Sequence, residues 1–564
     1  MSPFLLAADA RQHTIGRSTF FARLRRNWSL SVRCLDGAAQ MVERLPEDVT
    51  GERTAGAITS GRYRVYAGTV LCRRGENENK AALYHPMAPL AAASYRMDYN
   101  SKVMPGALGG QQGQSLNPLW LFLAAVVVDV TAAFLIRSHT TLAMLDADES
   151  EYWNIASQLQ VHGLSGIPAR RTLPFPLLLA SLRALVGDNY FYVQLLVSAL
   201  LAITPVLAFW LVQRHTGNQR AALLTGVAFL LWPPYVYYGA SIYSDSIALM
   251  LFLVYLLAFP TSRAADKLGV ANIVRASAAP ATVAAHRLLD SAGPKAAPPW
   301  RRWLQFVLAG ALLGLCVQTK PLYLLYTPIA LCLAIASEPS IKRGWTGAVL
   351  LAIGCTVVSA PWSGYLSARE GRFILISANG GETLAGGLNP TLIKMDTSRV
   401  FVTAGKRSTW GGPGKWVPMD QTGYVAQKEL ELPYAQVSAL MWVRAREWIR
   451  AHPSDVAYLS ARKLLYMWGI YPLWNGMSQS LLGNIPLLCL IFAACWGLWA
   501  MRRAWRPLAL FWTLPILSSL VALVSWGSWR FRMPADAGLI ILAVIAGVLY
   551  TDRWMMTMGK RAPV

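Results

Sequence analysis

Residues 118–164 read PLWLFLAAVVVDVTAAFLIRSHTTLAMLDADESEYWNIASQLQVHGL. The first part, 118–136, is an apolar run of membrane-crossing length, since roughly 20 residues of helix traverse about 30 Å of hydrocarbon. The chain then turns sharply acidic. Asp146, Asp148, Glu149 and Glu151 fall within six residues. After them Tyr152, Ile155, Ala156 and Leu159 recur at helical spacing and form one apolar stripe. The acids therefore stand at the start of a helix that lies on the membrane, directly after a span. This pairing predicts an all-α polytopic membrane protein whose chemistry gathers at one face, around Asp148 and Glu149.

The rest of the chain extends the same pattern. Of its 564 residues 54% are hydrophobic and 14% charged, with a mean hydropathy of +0.36; soluble domains usually carry about 25% charged residues. The net charge of +23 does not indicate a nucleic-acid partner, because the basic residues cluster in short loops between apolar runs, as cytoplasmic loops do against an anionic leaflet. Arg214, Arg220, Lys342, Arg343, Arg502, Arg503 and Arg506 mark the inside loops. From them the spans are about 118–136, 189–213, 221–238, 243–260, 303–319, 321–337, 345–366, 481–501, 507–525 and 534–550. The result is about ten spans with both termini inside. PFPLLLASLRALVG (174–187) is short for a span and is placed along the interface as an amphipathic helix. Residues 137–172 and 367–479 then lie outside, and QVSALMWVRAREWIRAHPSDVAYLSARKLLYMWG (436–469) reads as two helices broken at Pro453, returning the loop to the membrane.

Four regions follow. Residues 1–116, mixed in composition and without periodicity, form a weakly ordered cytoplasmic extension; a start nearer Met97 or Met104 is the other reading. Residues 117–366 form an N-terminal transmembrane module carrying the catalytic first external loop. Residues 367–479 form the large external loop, and 480–564 the last spans and a short cytoplasmic tail. Cys34 and Cys72 lie in the extension. Cys316, Cys332, Cys355, Cys489 and Cys495 lie in apolar runs, so no external disulfide is expected. No Cys spacing suggests zinc. The single sequon, Asn27-Trp28-Ser29, is in the extension, which favours a bacterial inner membrane over a secretory compartment.

The external acids read in two ways. They form a solvated interfacial loop, or they supply a general base in a pocket roofed by apolar helices. Positive charge outside has no topological use, so SWGSWRFRMP (525–534) stands out: Arg530 and Arg532 either snorkel beside Trp526 and Trp529 or together grip one phosphate by forked hydrogen bonds. His162 is a single imidazole on an amphipathic stretch, better read as structural. Gly380-Gly381 and Gly386-Gly387 lack a following P-loop Lys-Ser/Thr, so they do not signal nucleotide binding.

Asp148-Glu149-Ser150-Glu151-Tyr152, with Ala156 and Gly163, resembles the D-E-x-x-Y motif of GT-C glycosyltransferases, in the branch of protein O-mannosyltransferases and lipid A aminoarabinose transferases. Further stretches resemble that branch in the same order: the Pro174–Ala180 segment with Gly187-Asp188-Asn189, Ser244-Asp245-Ser246, Gln318-Thr319-Lys320-Pro321, Asn379-Gly380-Gly381-Glu382 with Gly386–Pro390, and Arg530-Phe531-Arg532-Met533-Pro534. The resemblance covers about 118–550. It departs before the interfacial segment, where the aminoarabinose transferases carry a further acid and this chain has Arg170-Arg171-Thr172-Leu173.

The resemblance implies a GT-C bundle with interfacial helices in the first external loop. It implies inverting transfer of one sugar from a polyprenyl-phosphate donor to a lipid, glycan or protein acceptor outside the cytoplasmic leaflet. On that reading Asp148 takes the acceptor's proton, Glu149 orients it or exchanges roles with it, Tyr152 supports the motif, and Asp245 adds a third acid. Arg530, Arg532, Lys320, Arg170 and Arg171 hold the donor phosphate. No cofactor and no metal are expected. The competing class is a lipid-linked sugar flippase or transporter, whose mark is acids buried mid-span or broken half-repeats. A relative that moves a whole glycan is a third possibility, though those usually carry a large soluble C-terminal domain.

Overall fold

Pro233-Pro234 breaks what the sequence presents as one straight span. A computed structural model describes residues 117–137, 147–260, 299–397, 417–469, 477–502, 505 and 508–559. Every regular element among them is helical. In chain order they are α1 (Leu119–Arg137), α2 (Ala147–His162), α3 (Pro174–Val186), α4 (Tyr190–Leu201), α5 (Thr204–Thr216), α6 (Gln219–Leu231), α7 (Pro233–Gly239), α8 (Ser244–Ala258), α9 (Pro299–Thr319), α10 (Thr327–Ala336), α11 (Ile341–Glu370), α12 (Gly380–Gly387), α13 (Pro390–Thr397), α14 (Tyr434–Ala451), α15 (Pro453–Met467), α16 (Met477–Ala500), α17 (Ala509–Val524) and α18 (Trp529–Gly559). The extension 1–116 with Cys34, Cys72 and the sequon, the linker 261–298, and Asp146 lie outside the described residues.

Five stretches are long and apolar enough to cross a membrane: Leu119–Ile136, Tyr190–Thr216, Trp300–Thr319, Ile341–Glu370 and Arg530–Asp552. The chain is thus an integral membrane protein. The span expected at 221–238 is instead the pair α6 and α7, bent by 57°. The two prolines remove backbone donors, and Trp232 is extended at φ −73°, ψ 113°, so the helical ladder cannot run through. Helices α3, α8, α16 and α17 and the run Pro321–Ala336 contain shorter apolar stretches. The last begins as a 3₁₀ turn over Pro321–Tyr326 before α10. The interruption at Pro453 is present: α14 ends at Ala451 and α15 starts at Pro453. The five cysteines of the apolar runs are all free thiols.

Close helix crossings fix the pieces that carry the site. Between α9 and α11, a Cβ on Gly310 would fall 2.0 Å from the Leu351 carbonyl oxygen, and one on Gly354 would fall 2.1 Å from that of Val307. Small residues let membrane helices approach backbone to backbone, and this crossing anchors the end of α9, where Lys320 follows Thr319. On the other side Gly387 packs so tightly on Ser525 that a Cβ would sit 1.7 Å from its carbonyl oxygen. That junction holds the 525–528 turn from which α18 and Arg530 start. The segment after α2 is tied to the end of α11 and the segment after it by Arg369 Nη1 donating to the Ile167 carbonyl (2.8 Å) and by the Ala378 N–H donating to that of Ala169 (2.8 Å). Arg170 and Arg171 follow immediately.

Candidate active site

Helix α2 presents different residues on different faces, and this sorts the acids. Asp148 and Glu149 occupy its first turn, where the helix dipole favours negative charge. Positions 148, 151 and 152 share a face, because residues three and four apart are neighbours on a helix. Glu149 lies a quarter-turn and more away, with Trp153. It is fully buried and accepts from the Tyr190 hydroxyl (3.2 Å) and the Ile242 N–H (3.1 Å). These bonds tie α2 to α4 and to the turn before α8.

Asp148 is the centre of an ion-pair cluster drawn from five segments. Its Oδ1 accepts from Arg171 Nη2 at 2.7 Å and its Oδ2 from Arg530 Nη1 at 2.5 Å. Arg171 also donates through Nε to Glu151 Oε1 (2.9 Å) and through Nη2 to Glu151 Oε2. Arg170 Nε reaches the same Glu151 Oε1 at 2.7 Å. Arg530 Nε lies 3.4 Å from Asp245 Oδ2, which also accepts from Lys320 Nζ at 2.9 Å. The linked groups are three carboxylates (Asp148, Glu151, Asp245) and four cations (Arg170, Arg171, Lys320, Arg530), leaving one positive charge over. Tyr152 supports the cluster from beneath: its ring lies 4.7 Å from the Arg171 guanidinium carbon and its hydroxyl pairs with Ser244 Oγ at 3.0 Å. Tyr243 and Phe531 rings flank the Arg530 guanidinium at 5.0 and 5.2 Å.

Burial pushes the Asp148 carboxyl up, but Arg530, Arg171 and Lys320 together with the Arg171 hydrogen bond outweigh it, and the group is held well below the usual carboxylate range. Arg171 loses to burial and gains more from Tyr152, Glu151 and Asp148, so it stays charged. Just outside the cluster Glu382, on α12, accepts from the Tyr434 hydroxyl, and burial raises its carboxyl. The Arg170 guanidinium lies 5.7 Å from the Tyr434 ring centre.

The structure therefore brings together Asp148, Asp245, Arg530, Lys320, Arg170, Arg171 and Tyr152. It separates Arg532, which donates to Asp536 (2.8 Å) and to the Met467 carbonyl (2.9 Å) and is almost fully buried. Arg530 and Arg532 do not share a partner, because residues two apart on α18 point to opposite sides. Glu149 is turned towards Tyr190 and Ile242, whose hydroxyl and N–H it accepts from. Glu151, expected from the sequence to project differently from the helix start and to meet only water, is instead the bridge between Arg170 and Arg171. The signal was available, since position 151 is one turn from 148. Among the described residues no three His, Cys, Asp or Glu side chains are grouped as metal ligands would be.

No protein-family model matches the chain, and no curated protein matches it significantly. Among solved structures it is similar to ArnT from Cupriavidus metallidurans bound to undecaprenyl phosphate, at 12% identity over 77% of each chain and a TM-score of 0.34. The same protein in the apo state matches at 14% identity, 76% of this chain and 77% of that one, with a TM-score of 0.31. It is also similar to an oligosaccharyltransferase from Archaeoglobus fulgidus in the apo form, at 14% identity, 79% of this chain but 52% of that one, with a TM-score of 0.39.

Proposed function

We propose that this chain is an inverting glycosyltransferase that moves a single sugar from a polyprenyl-phosphate donor to an acceptor at the external, periplasmic face of an inner membrane, with both termini cytoplasmic. The observation that carries this reading is the double clamp on Asp148: one carboxylate held by Arg171 and Arg530, in a cluster with one cation in excess, on a helix that follows a membrane span.

The chemistry follows from that clamp. A donor phosphate entering the cluster meets Arg530, Arg171 and Lys320, whose charges stabilise the phosphate that leaves. Each guanidinium hydrogen bond the phosphate takes over is one that Asp148 gives up. Donor arrival thereby lifts Asp148 out of its depressed state and makes it a stronger base when the acceptor is to be deprotonated. Asp245 holds Lys320 and Arg530 in place. Glu151 does the same for Arg170 and Arg171, supplying on α2 a carboxylate for the arginines at 170–171.

The test separates the two arginines of α18. Undecaprenyl phosphate binding to the purified full-length protein weakens about tenfold or more in Arg530→Ala, which removes a charge-assisted phosphate contact. It is little changed in an Arg532→Met protein that folds. Equal losses from both, or none from Arg530→Ala, would remove the basis for the proposal.

A further inference from the structure

Helix α2 has one face that neither packing nor the ion-pair cluster uses. Tyr152, Trp153 and Ala156 pack towards α3 and α4, and Ile155 packs with Trp362 and Leu366 of α11. Asn154, Gln158 and His162, four residues apart, remain exposed along the third face. Opposite them runs the segment 163–170. Between the two lies an open groove of about 690 Å³, whose polar lining includes Glu151, Asn154, Gln158, His162, Ser165 and Arg170. This falls within the usual range of small-ligand sites, about 300–1,000 Å³.

The groove is built rather than incidental. Gly166 lies so close to α2 that a Cβ would stand 2.5 Å from the Gln158 carbonyl oxygen, so the segment opposite the stripe is seated directly on the helix backbone. The chain from Ile167 to Ala169 is hydrogen-bonded to the end of α11 and the segment after it. The groove also touches the catalytic cluster. Glu151 is both its wall and the partner of Arg171, which holds Asp148.

The charge pattern selects the ligand. The groove's own lining holds one guanidinium, Arg170, and one carboxylate, Glu151, 2.7 Å apart, so the lining is neutral overall, and the cluster's surplus positive charge belongs to Arg171, Arg530 and Lys320, which do not line it. The amides of Asn154 and Gln158 have no partner among the described residues, and each offers donors and an acceptor together. Paired donors and acceptors in a neutral setting suit the adjacent hydroxyls of a sugar. The geometry points to this groove as the acceptor subsite, taking a neutral carbohydrate headgroup whose hydroxyl is the nucleophile. This rests on the glycosyltransferase reading above and specifies its acceptor. In the step, a lone pair of the acceptor hydroxyl forms the bond to the anomeric carbon. The bond from that carbon to the phosphate oxygen breaks, with its electron pair staying on the polyprenyl phosphate. The hydroxyl proton passes to Asp148. A hydroxyl acceptor gives that base a task, whereas a phosphate oxygen arrives already ionised.

The experiment uses the full-length protein in liposomes with labelled polyprenyl-phosphate hexoses and pentoses as donors, and either hexadecyl maltoside or hexadecyl phosphate as acceptor. Label should pass to the maltoside in preference to the phosphate. Asn154→Leu with Gln158→Leu should raise the maltoside KM about tenfold or more, while undecaprenyl phosphate binding stays as in the unaltered protein. Asn154→Trp, which fills the groove from an exposed position, should have the same effect. Preference for hexadecyl phosphate, an unchanged maltoside KM, or no transfer to the maltoside while undecaprenyl phosphate still binds would overturn the groove assignment and leave the glycosyltransferase reading standing. Failure of the unaltered protein to bind undecaprenyl phosphate would overturn both.

Discussion

Replacing Asp148 by Asn separates base from charge. The unaltered cluster links three carboxylates and four cations, an excess of one positive charge; the variant links two carboxylates and four cations, an excess of two. The Asp148 side chain is 25% exposed, so the full Coulomb energy of a nearby pair, about 4 kcal/mol at an effective dielectric of 20, is screened to roughly 1 kcal/mol. An anionic donor should therefore bind no more weakly, and up to about fivefold more tightly. Transfer should move the other way. Asn keeps the shape but cannot take a proton, and a positioned general base contributes roughly 10²–10⁴-fold. The two effects are read on one preparation, undecaprenyl phosphate affinity by thermal shift and transfer by single-turnover release of labelled sugar. Transfer within about threefold of the unaltered protein, or donor affinity weakened tenfold, would refute the reasoning.

Glu151→Gln should lower transfer by about tenfold, less than Asp148→Asn, because it removes the bridge that aims Arg170 and Arg171 rather than the base; single-turnover rates equal to the unaltered protein would return Glu151 to the status of a solvated acid. Arg532→Ala should destabilise the fold by about 3–5 kcal/mol, read as a lowered thermal midpoint, since it strands the fully buried Asp536 without its charge partner; a stable variant with weakened donor binding would contradict this. Lys463 is fully buried on α15, and burial lowers its amine to about 7. The unfolded chain then holds the extra proton between about pH 7 and 10.5, so this residue makes stability rise with pH across that window. Lys463→Met should raise the thermal midpoint at pH 7 and flatten that rise; an unchanged pH dependence would show that the amine is charged in the fold. Deleting residues 1–110 should leave expression and transfer largely intact, and loss of both would reveal a folded domain there.

The readable parts of this chain were those set by local pattern. The α2 stripe of Tyr152, Ile155 and Ala156, the interfacial Pro174–Val186 helix and the break at Pro453 all follow from spacing and proline chemistry over a few residues. The bend at Pro233-Pro234 was equally local but hidden by continuous hydropathy, which reports apolarity and not helix direction. At the site, residue types in order pointed to Asp148, Asp245, Lys320 and Arg530, which span 382 positions between first and last bonded partner. Their pairing was not legible, since it depends on how α9 crosses α11 and how Gly387 meets Ser525. Glu151 and Arg532 show a different gap. Both were weighed by their neighbours in sequence, whereas helical phase alone places 151 beside 148 and turns 532 away from 530.

The central claim is that a sugar leaves a polyprenyl phosphate under the action of Asp148 and its arginines. The direct measurement incubates the full-length protein in liposomes with labelled polyprenyl-phosphate sugars and separates the lipid-linked label from label bonded to acceptor. The account predicts that label moves to acceptor, that unlabelled polyprenyl phosphate is released in equal amount, and that Asp148→Asn slows both by roughly 10²-fold or more. Label that stays on its lipid and crosses the bilayer intact, in the unaltered protein and in Asp148→Asn alike, would contradict it and assign the chain to lipid-linked sugar transport.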